Sequence, residues 1–199
     1  MNSPAGYCGV LLAAGRSRRF GADKLMYRLD NGTPVALASL RALQQVLPNT
    51  IAVVRPDNHE LIDALKQSDV AVVIANDADA GMGRSLAAGI AATAQARGWV
   101  VALADMPYIQ TASIARVLAA LQRGATLAAP IHDGQRGHPV GFDARFRDEL
   151  LALNNDEGAR SLLRAHADAL TLIECADAGI LRDIDFPQDL RAAENSSGA

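Results

Sequence analysis

The sequence predicts an α/β protein of three layers: a mostly parallel sheet, helices on both of its faces, and a small hairpin excursion. Three observations carry this. Short apolar runs suited to buried strands alternate with stretches of helical periodicity as far as residue 130. Polar loops follow the strands, where ligand sites of such sheets gather. Half of the 199 residues are hydrophobic while only 4% are aromatic, an ordinary α/β composition in which Ala, Leu and Val dominate.

The elements follow in order. A buried strand over 8–14 breaks at Gly15 into small and cationic residues. Helical spacing begins at Thr33-Pro34 and runs to 46, with proline early in the helix where its missing N–H is harmless. A second strand over 50–54 is stopped by Arg55-Pro56, and Asp57 is placed to cap a helix carrying Leu61, Ile62 and Leu65. A third strand spans 70–75. Residues 76–83 form a polar loop with two glycines, and Arg84-Ser85-Leu86 leads into a helix to about 97. A fourth strand over 99–104, a helix over 111–122 and a strand over 126–130 complete the alternation.

The pattern then changes. Ile131-His132-Asp133-Gly134-Gln135-Arg136-Gly137 is turn-rich, and with His138-Pro139-Val140-Gly141-Phe142 it reads as a hairpin or protruding loop. Short helices over 144–153 and 157–166, a last strand over 170–174 and a closing helix ending near 193 follow. No repeat or linker divides the chain, so 1–199 reads as a single domain with short flexible ends at 1–6 and 195–199.

The segment after the first strand carries most chemistry. Ala13, Ala14, Gly15 and Gly21 leave little side chain in the way, so backbone N–H groups can approach an anion. Ser17 adds a hydroxyl, and Arg16, Arg18, Arg19 and Lys24 place four cations in nine residues. Such a loop is either a polyphosphate cradle or a solvated basic surface. It is not a P-loop: five residues separate Gly15 from Gly21, and Lys24 lies between Asp23 and Leu25. Nor is a G-x-G-x-x-G fingerprint present.

Asp105 follows the fourth strand directly and either serves the site or caps the next turn. Asp185 lies in a second acidic segment, Arg182-Asp183-Ile184-Asp185. Two carboxylates from distant segments beside a polyphosphate cradle suit Mg²⁺, which takes oxygen ligands and shares phosphate oxygens with a substrate. Gly81-Met82-Gly83-Arg84-Ser85 is a Gly-rich turn into a helix whose N–H groups can bind an anion, and Ser85 either touches the nucleotide or caps the helix. His138, extended before Pro139, is either a structural histidine or a substrate contact. His132 and Asp133 are weaker candidates. Asp156 is placed to cap a helix.

Residues 10–24 resemble, nearly position for position, the signature L-A-[AG]-G-x-S-x-R-[MF]-G-x-x-K of the MobA-like nucleotidyltransferases. Leu12-Ala13-Ala14-Gly15 is similar to the molybdenum cofactor cytidylyltransferase branch, the guanylyltransferase branch more often having Gly-Gly. Asp105-Met106-Pro107 resembles the family's Asp-x-Pro, and Asp183-Ile184-Asp185-Phe186-Pro187 its Asp-x-Asp-x-Pro, with Met106 and Phe186 where Gln and Thr are commoner. Gly81 to Leu86, Arg136 to Val140 and Asn155 to Leu163 resemble three further family segments in the right order.

This resemblance implies a Rossmann-like sheet and transfer of CMP from CTP to the phosphate of the molybdopterin cofactor, with release of pyrophosphate. It implies Arg19, Lys24 and Asp105 as catalytic residues, and Mg²⁺ held by Asp105 and Asp185. Leu12, Ala13, Ala14, Gly15, Ser17, Arg19, Lys24, Asn76, Gly81 and Ser85 would bind the nucleotide. Arg136, His138 and Arg160 would meet the second substrate, and a molybdoenzyme or its chaperone would receive the product. The alternatives are transfer of GMP to the same cofactor, a nucleotidyltransferase for another phosphorylated small molecule, and a non-catalytic nucleotide- or cofactor-binding chaperone. The intact set of Arg19, Lys24, Asp105 and Asp185 favours an enzyme, since binding alone does not need both carboxylates. No nucleophilic triad is readable or required: a phosphate oxygen is ionised at neutral pH, and catalysis is positioning plus charge neutralisation.

A net charge of −3 gives no general attraction to nucleic acid or an anionic membrane. No apolar run approaches the ~20 residues of a membrane span. The polar lead over 1–6 lacks the pattern of a signal peptide, so a cytoplasmic location is expected. Cys8 and Cys175 are far apart and outside any Cys-x-x-Cys pattern, which suits reduced, partly buried thiols.

Overall fold

Strand β1 (Tyr7–Ala13) is buried along almost its whole length, and its side chains alternate between two hydrophobic clusters. Leu11 and Ala13 enter one cluster, while Cys8, Val10 and Leu12 enter the other. That is the two-residue period of a strand covered on both faces. The computed structural model describes residues 6–15, 23–154, 156–186 and 189.

β1 pairs in parallel with β2 (Thr50–Val54) on one side and with β4 (Gly98–Leu103) on the other, and β3 (Ala71–Ile74) lies beyond β2. The chain thus runs outward from β1 to β3 and then crosses to the far side of β1. The carboxyl ends of β1 and β4 form the topological switch point where open α/β sheets bind ligands. β5 (Leu127–His132) pairs antiparallel with β6 (Gln135–Arg136) and β7 (Val140–Asp143), and parallel with β8 (Leu170–Glu174). β7 also pairs antiparallel with β4, which completes an eight-stranded, mostly parallel sheet. Asp133 and Gly134, both at positive φ, make the two-residue β5–β6 turn, a geometry whose twist matches the strands.

Helices α1 (Val35–Val46), α2 (His59–Lys66) and α4 (Thr111–Gln122) cover one face. Helices α3 (Met82–Ala92), α5 (Arg147–Leu151) and α6 (Arg160–Ala165) cover the other. The three layers and the hairpin are those expected. No helix among the described residues is long and apolar enough to cross a membrane.

Several local expectations are corrected. Pro34 stands just before α1 rather than within it. Asp57 does not cap α2: its carboxylate is taken by the Arg55 guanidinium, and Asn58 accepts the Leu61 N–H at 3.2 Å instead. α3 begins at Met82 and stops at Ala92, well short of 97. Thr93 turns its hydroxyl back to the Gly89 carbonyl at 2.8 Å and accepts the Trp99 indole N–H at 2.9 Å, so the chain leaves the helix there. Asp156 does not cap α6, whose first turn is preceded by Ala159. A 3₁₀ turn at Ala178–Leu181, which the periodicity does not reveal, is held by buried Asp177. That carboxylate accepts from Ser113 Oγ at 2.7 Å, Gln110 N at 2.9 Å and Gly179 N at 2.9 Å. The expected closing helix and flexible termini fall almost wholly outside the described residues.

Candidate active site

The site is assembled at the switch point. Ala104 N–H donates to the Leu12 carbonyl at 3.0 Å, and Ser39 of α1 donates its hydroxyl to the Ala104 carbonyl at 3.0 Å. These bonds fix the end of β4, so Asp105 emerges beside the end of β1. Ile184 N–H then donates to the Asp105 carbonyl at 2.9 Å, drawing the late acidic segment alongside. Ile184 is fully buried, while its neighbours Asp183 and Asp185 lie outside the core. The Asp189 carboxylate accepts from Asp185 N at 2.9 Å and Phe186 N at 2.7 Å and bends the chain behind them.

Lys24 arrives from the other direction. Asp23 Oδ1 accepts the Leu25 N–H at 3.1 Å, and Asp23 Oδ2 accepts Asn58 Nδ2 at 2.7 Å, which locks the backbone on either side of Lys24. The Lys24 ammonium lies 2.8 Å from Asp105 Oδ2 and 3.0 Å from Asp185 Oδ1. Asp105, Asp183 and Asp185 each offer a carboxylate oxygen, and these atoms lie within 4.8 Å of one another. Such an all-oxygen set fits a hard divalent cation, and the Lys24 ammonium already places a positive charge between two of its carboxylates. Burial works against the Lys24 charge, but Asp105 and then Asp185 outweigh it and raise the pKa above the ordinary lysine value. Asp183 is the more exposed carboxylate. Its pKa is nevertheless raised, by partial desolvation against the cleft and then by the charge of Asp185.

Two adjoining cavities open on this cluster. The first, of about 440 Å³, is lined by Leu12 to Gly15, Lys24, Asp105, Asp79, Gly81 and Ser85. The second, of about 470 Å³, is lined by Arg136, His138, Arg160 and Asp183. Leu12, Met82, Leu103 and Asp156 belong to both walls. Gly81 turns the chain into α3 at φ 117°, a conformation that favours glycine. Ser85 is buried on the cleft wall and makes no cap at the start of α3.

Of the residues singled out in the sequence, Leu12, Ala13, Ala14, Gly15, Lys24, Gly81, Ser85 and Asp105 share the first cavity, and Asp185 joins them through Lys24. Arg136, His138 and Arg160 share the second. Asn76 is exposed and off both walls, because a 3₁₀ turn at Ala78–Ala80 brings Ala78 and Asp79 to the cleft in its place. Ser17 and Arg19 lie outside the described residues. Sequence reasoning missed Asp183, Asp189, Met82 and the Asp23–Asn58 pair. Only Asp183 carried a signal, an acidic residue two positions from Asp185 across an apolar one.

His138 stands where the second cavity meets the sheet, joined to Pro139 by a cis peptide. Its N–H donates to the Ile180 carbonyl at 3.0 Å, and its Nδ1 is sealed from solvent with no hydrogen-bond partner among the described residues. Burial, with Arg136 and Arg160 adding to it, pushes the ring down to about 4 against the opposing charge of Asp105. The imidazole is therefore neutral at pH 7. Gly137 packs so tightly that a Cβ there would fall on the Ile180 carbonyl oxygen.

Known proteins resemble this chain over most of its length. The profile of the MobA-like NTP transferase domain matches residues 9–170. The chain is 30% identical over 191 residues to the purine catabolism protein PucB of Bacillus subtilis, covering 91% of this chain and 92% of that protein. It is 31% identical over 196 residues to the molybdenum cofactor guanylyltransferase of Cupriavidus pinatubonensis, covering 94% and 95%. Identity to the molybdenum cofactor cytidylyltransferase of Escherichia coli is 26% over 186 residues, covering 93% and 94%. Among solved structures, that of the Rv0371c homologue from Mycobacterium sp. strain JC1 superposes with a TM-score of 0.82 at 27% identity, covering 94% of this chain and 93% of that one.

Proposed function

We propose a specific reaction for this chain, which belongs to the MobA-like NTP transferase family: transfer of CMP from CTP to the phosphate of the molybdopterin cofactor, with release of pyrophosphate. The observation that carries it is a pair of cavities that share Leu12, Met82, Leu103 and Asp156 and open on one acidic cluster, the first at Lys24 and Asp105 and the second at Asp183. A two-substrate phosphoryl-type transfer needs both reactants held in line across one reacting phosphorus.

The first cavity takes the nucleoside triphosphate against the backbone of Leu12 to Gly15, with Ser17 and Arg19 completing the cradle in this reading. The second takes the acceptor, its phosphate drawn by Arg136 and Arg160, with His138 as an uncharged part of the wall. An acceptor phosphate oxygen forms a bond to the α-phosphorus, the bond from that phosphorus to the β-bridging oxygen breaks, and the electron pair leaves with pyrophosphate. Lys24 offsets charge growing on the bridging and leaving oxygens. Asp105 and Asp185, with Asp183 beside them, would hold Mg²⁺, which when bound supplies further neutralisation of phosphate charge.

The choice of CTP rests on the Ala13–Ala14 form, since relatives of both the guanylyl and the cytidylyl kind match most of the chain. The experiment is pyrophosphate release with each of the four NTPs, with and without purified molybdenum cofactor. Fastest release with CTP, dependent on the cofactor, is expected. Faster use of GTP with a guanine dinucleotide product would assign the guanylyl reaction. Release with a different phosphorylated acceptor would move the substrate, and nucleotide binding without release would make the protein a carrier. Retention of the product by a molybdoenzyme or its chaperone tests the recipient.

A further inference from the structure

We propose that Lys24 is an internal cation that occupies the divalent-metal position in the nucleotide-free protein and vacates it when a triphosphate arrives. The inference rests on the reading of Asp105 and Asp185 as metal ligands and adds an order of events to it. The Lys24 nitrogen is hydrogen-bonded to one oxygen of each of these carboxylates, at 2.8 Å and 3.0 Å. Those carboxylates belong to the three-residue cluster whose oxygens lie within 4.8 Å of one another. A Mg²⁺ ion sits at about 2.1 Å from its ligand oxygens. An ion on these carboxylates while the ammonium keeps both hydrogen bonds would sit beside a second cation and be repelled by it.

Lys24 also has somewhere to go. Its side chain lines the first cavity, and only 13% of it is exposed, so the route away from the carboxylates leads into the cavity. The backbone need not move: Asp23 stays tied to Asn58 and to Leu25 N–H while the four-carbon stem swings. A triphosphate in that cavity replaces these carboxylate contacts with phosphate contacts, and Lys24 then no longer competes with the metal for Asp105 and Asp185. Metal and triphosphate are thereby coupled through one side chain, in addition to any direct contact between them.

The test uses Mn²⁺ as the probe, titrated into nucleotide-free protein and followed by electron paramagnetic resonance. The proteins compared are wild type, Lys24→Ala and Lys24→Gln, with Asp105→Asn locating the site. Both lysine variants are expected to bind Mn²⁺ roughly 5- to 150-fold more tightly than wild type, the ordinary range of coupling between sites, and Asp105→Asn to lose the tight site. In wild type, saturating Mn²⁺ should raise acetylation of Lys24 by acetic anhydride, read by mass spectrometry, a readout that serves even where a variant fails to fold. Equal Mn²⁺ affinity in wild type and both lysine variants overturns the inference and leaves the metal site standing. Tighter binding in the variants with no change in Lys24 acetylation also overturns it, since the lysine would then only repel the ion from a distance. Absence of Mn²⁺ binding in every protein, with a non-hydrolysable CTP analogue present, overturns the metal reading itself.

Discussion

Asn58 serves two masters: its Oδ1 caps α2 by accepting the Leu61 N–H at 3.2 Å, and its Nδ2 donates to Asp23 Oδ2 at 2.7 Å. The residue that begins a helix behind β2 therefore also steadies the residue next to Lys24. Asn58→Ala removes both bonds. It should cost about 1 kcal/mol of stability, the usual worth of a cap, and lower kcat more than it raises the KM for nucleotide. Asn58→Asp keeps a capping oxygen but faces the Asp23 carboxylate, so urea unfolding should show partial recovery of stability while turnover stays low. Equal turnover in wild type and Asn58→Asp would remove the positioning role.

Asp105 and Asp185 should behave as one unit. Lys24 retains one carboxylate partner in either single Asn variant, so the fold persists in both. Turnover should fall at least about a hundredfold in each, a loss of the size seen for a preorganised charge. The Mg²⁺ requirement should move upward, and Asp105→Asn with Asp185→Asn should be little worse than the worse single variant. An Asp185→Asn protein with wild-type rate and unchanged Mg²⁺ dependence would make Asp185 structural.

His138 predicts a pH dependence of stability. Its folded pKa is about 4 against an ordinary 6.5, so the unfolded chain binds the extra proton between those values. Its contribution to stability is complete above pH 6.5 and is lost as pH falls toward 4, by up to about 3 kcal/mol. Urea midpoints of wild type and His138→Asn should therefore diverge between pH 4.5 and pH 7.5, with the shallower slope in the variant. Parallel slopes would show that the ring titrates normally.

Gly137→Ala should act at a distance. The added methyl displaces the Ile180 carbonyl, which accepts the His138 N–H, and overpacking of this kind costs about 1–3 kcal/mol. Because Arg136, Gly137 and His138 line the second cavity, the KM for the acceptor should rise while that for the nucleotide holds. A lowered Tm with both KM values unchanged would confine the effect to packing.

The sequence by itself determined the layers and the mouth of the sheet. The apolar run within 8–14, helical spacing in 111–122 and the small residues 13–15 are short-range signals, and each acts through neighbours in the chain. It also carried Lys24, Asp105 and Asp185 as separate candidates, since Lys24 stands in a cationic loop, Asp105 at the end of a readable apolar run and Asp185 in an acidic segment. Only the tertiary structure decided that Lys24 bridges the two carboxylates, from 81 and 161 positions away, because no local pattern encodes a contact made by strand order. The same holds for Asp183 beside them and for Asp23 tied to Asn58. Asp57 shows the limit most plainly. Its position favours a cap, but the Arg55 guanidinium captures it and Asn58 takes the helix end, a choice between competing partners that only folded distances make.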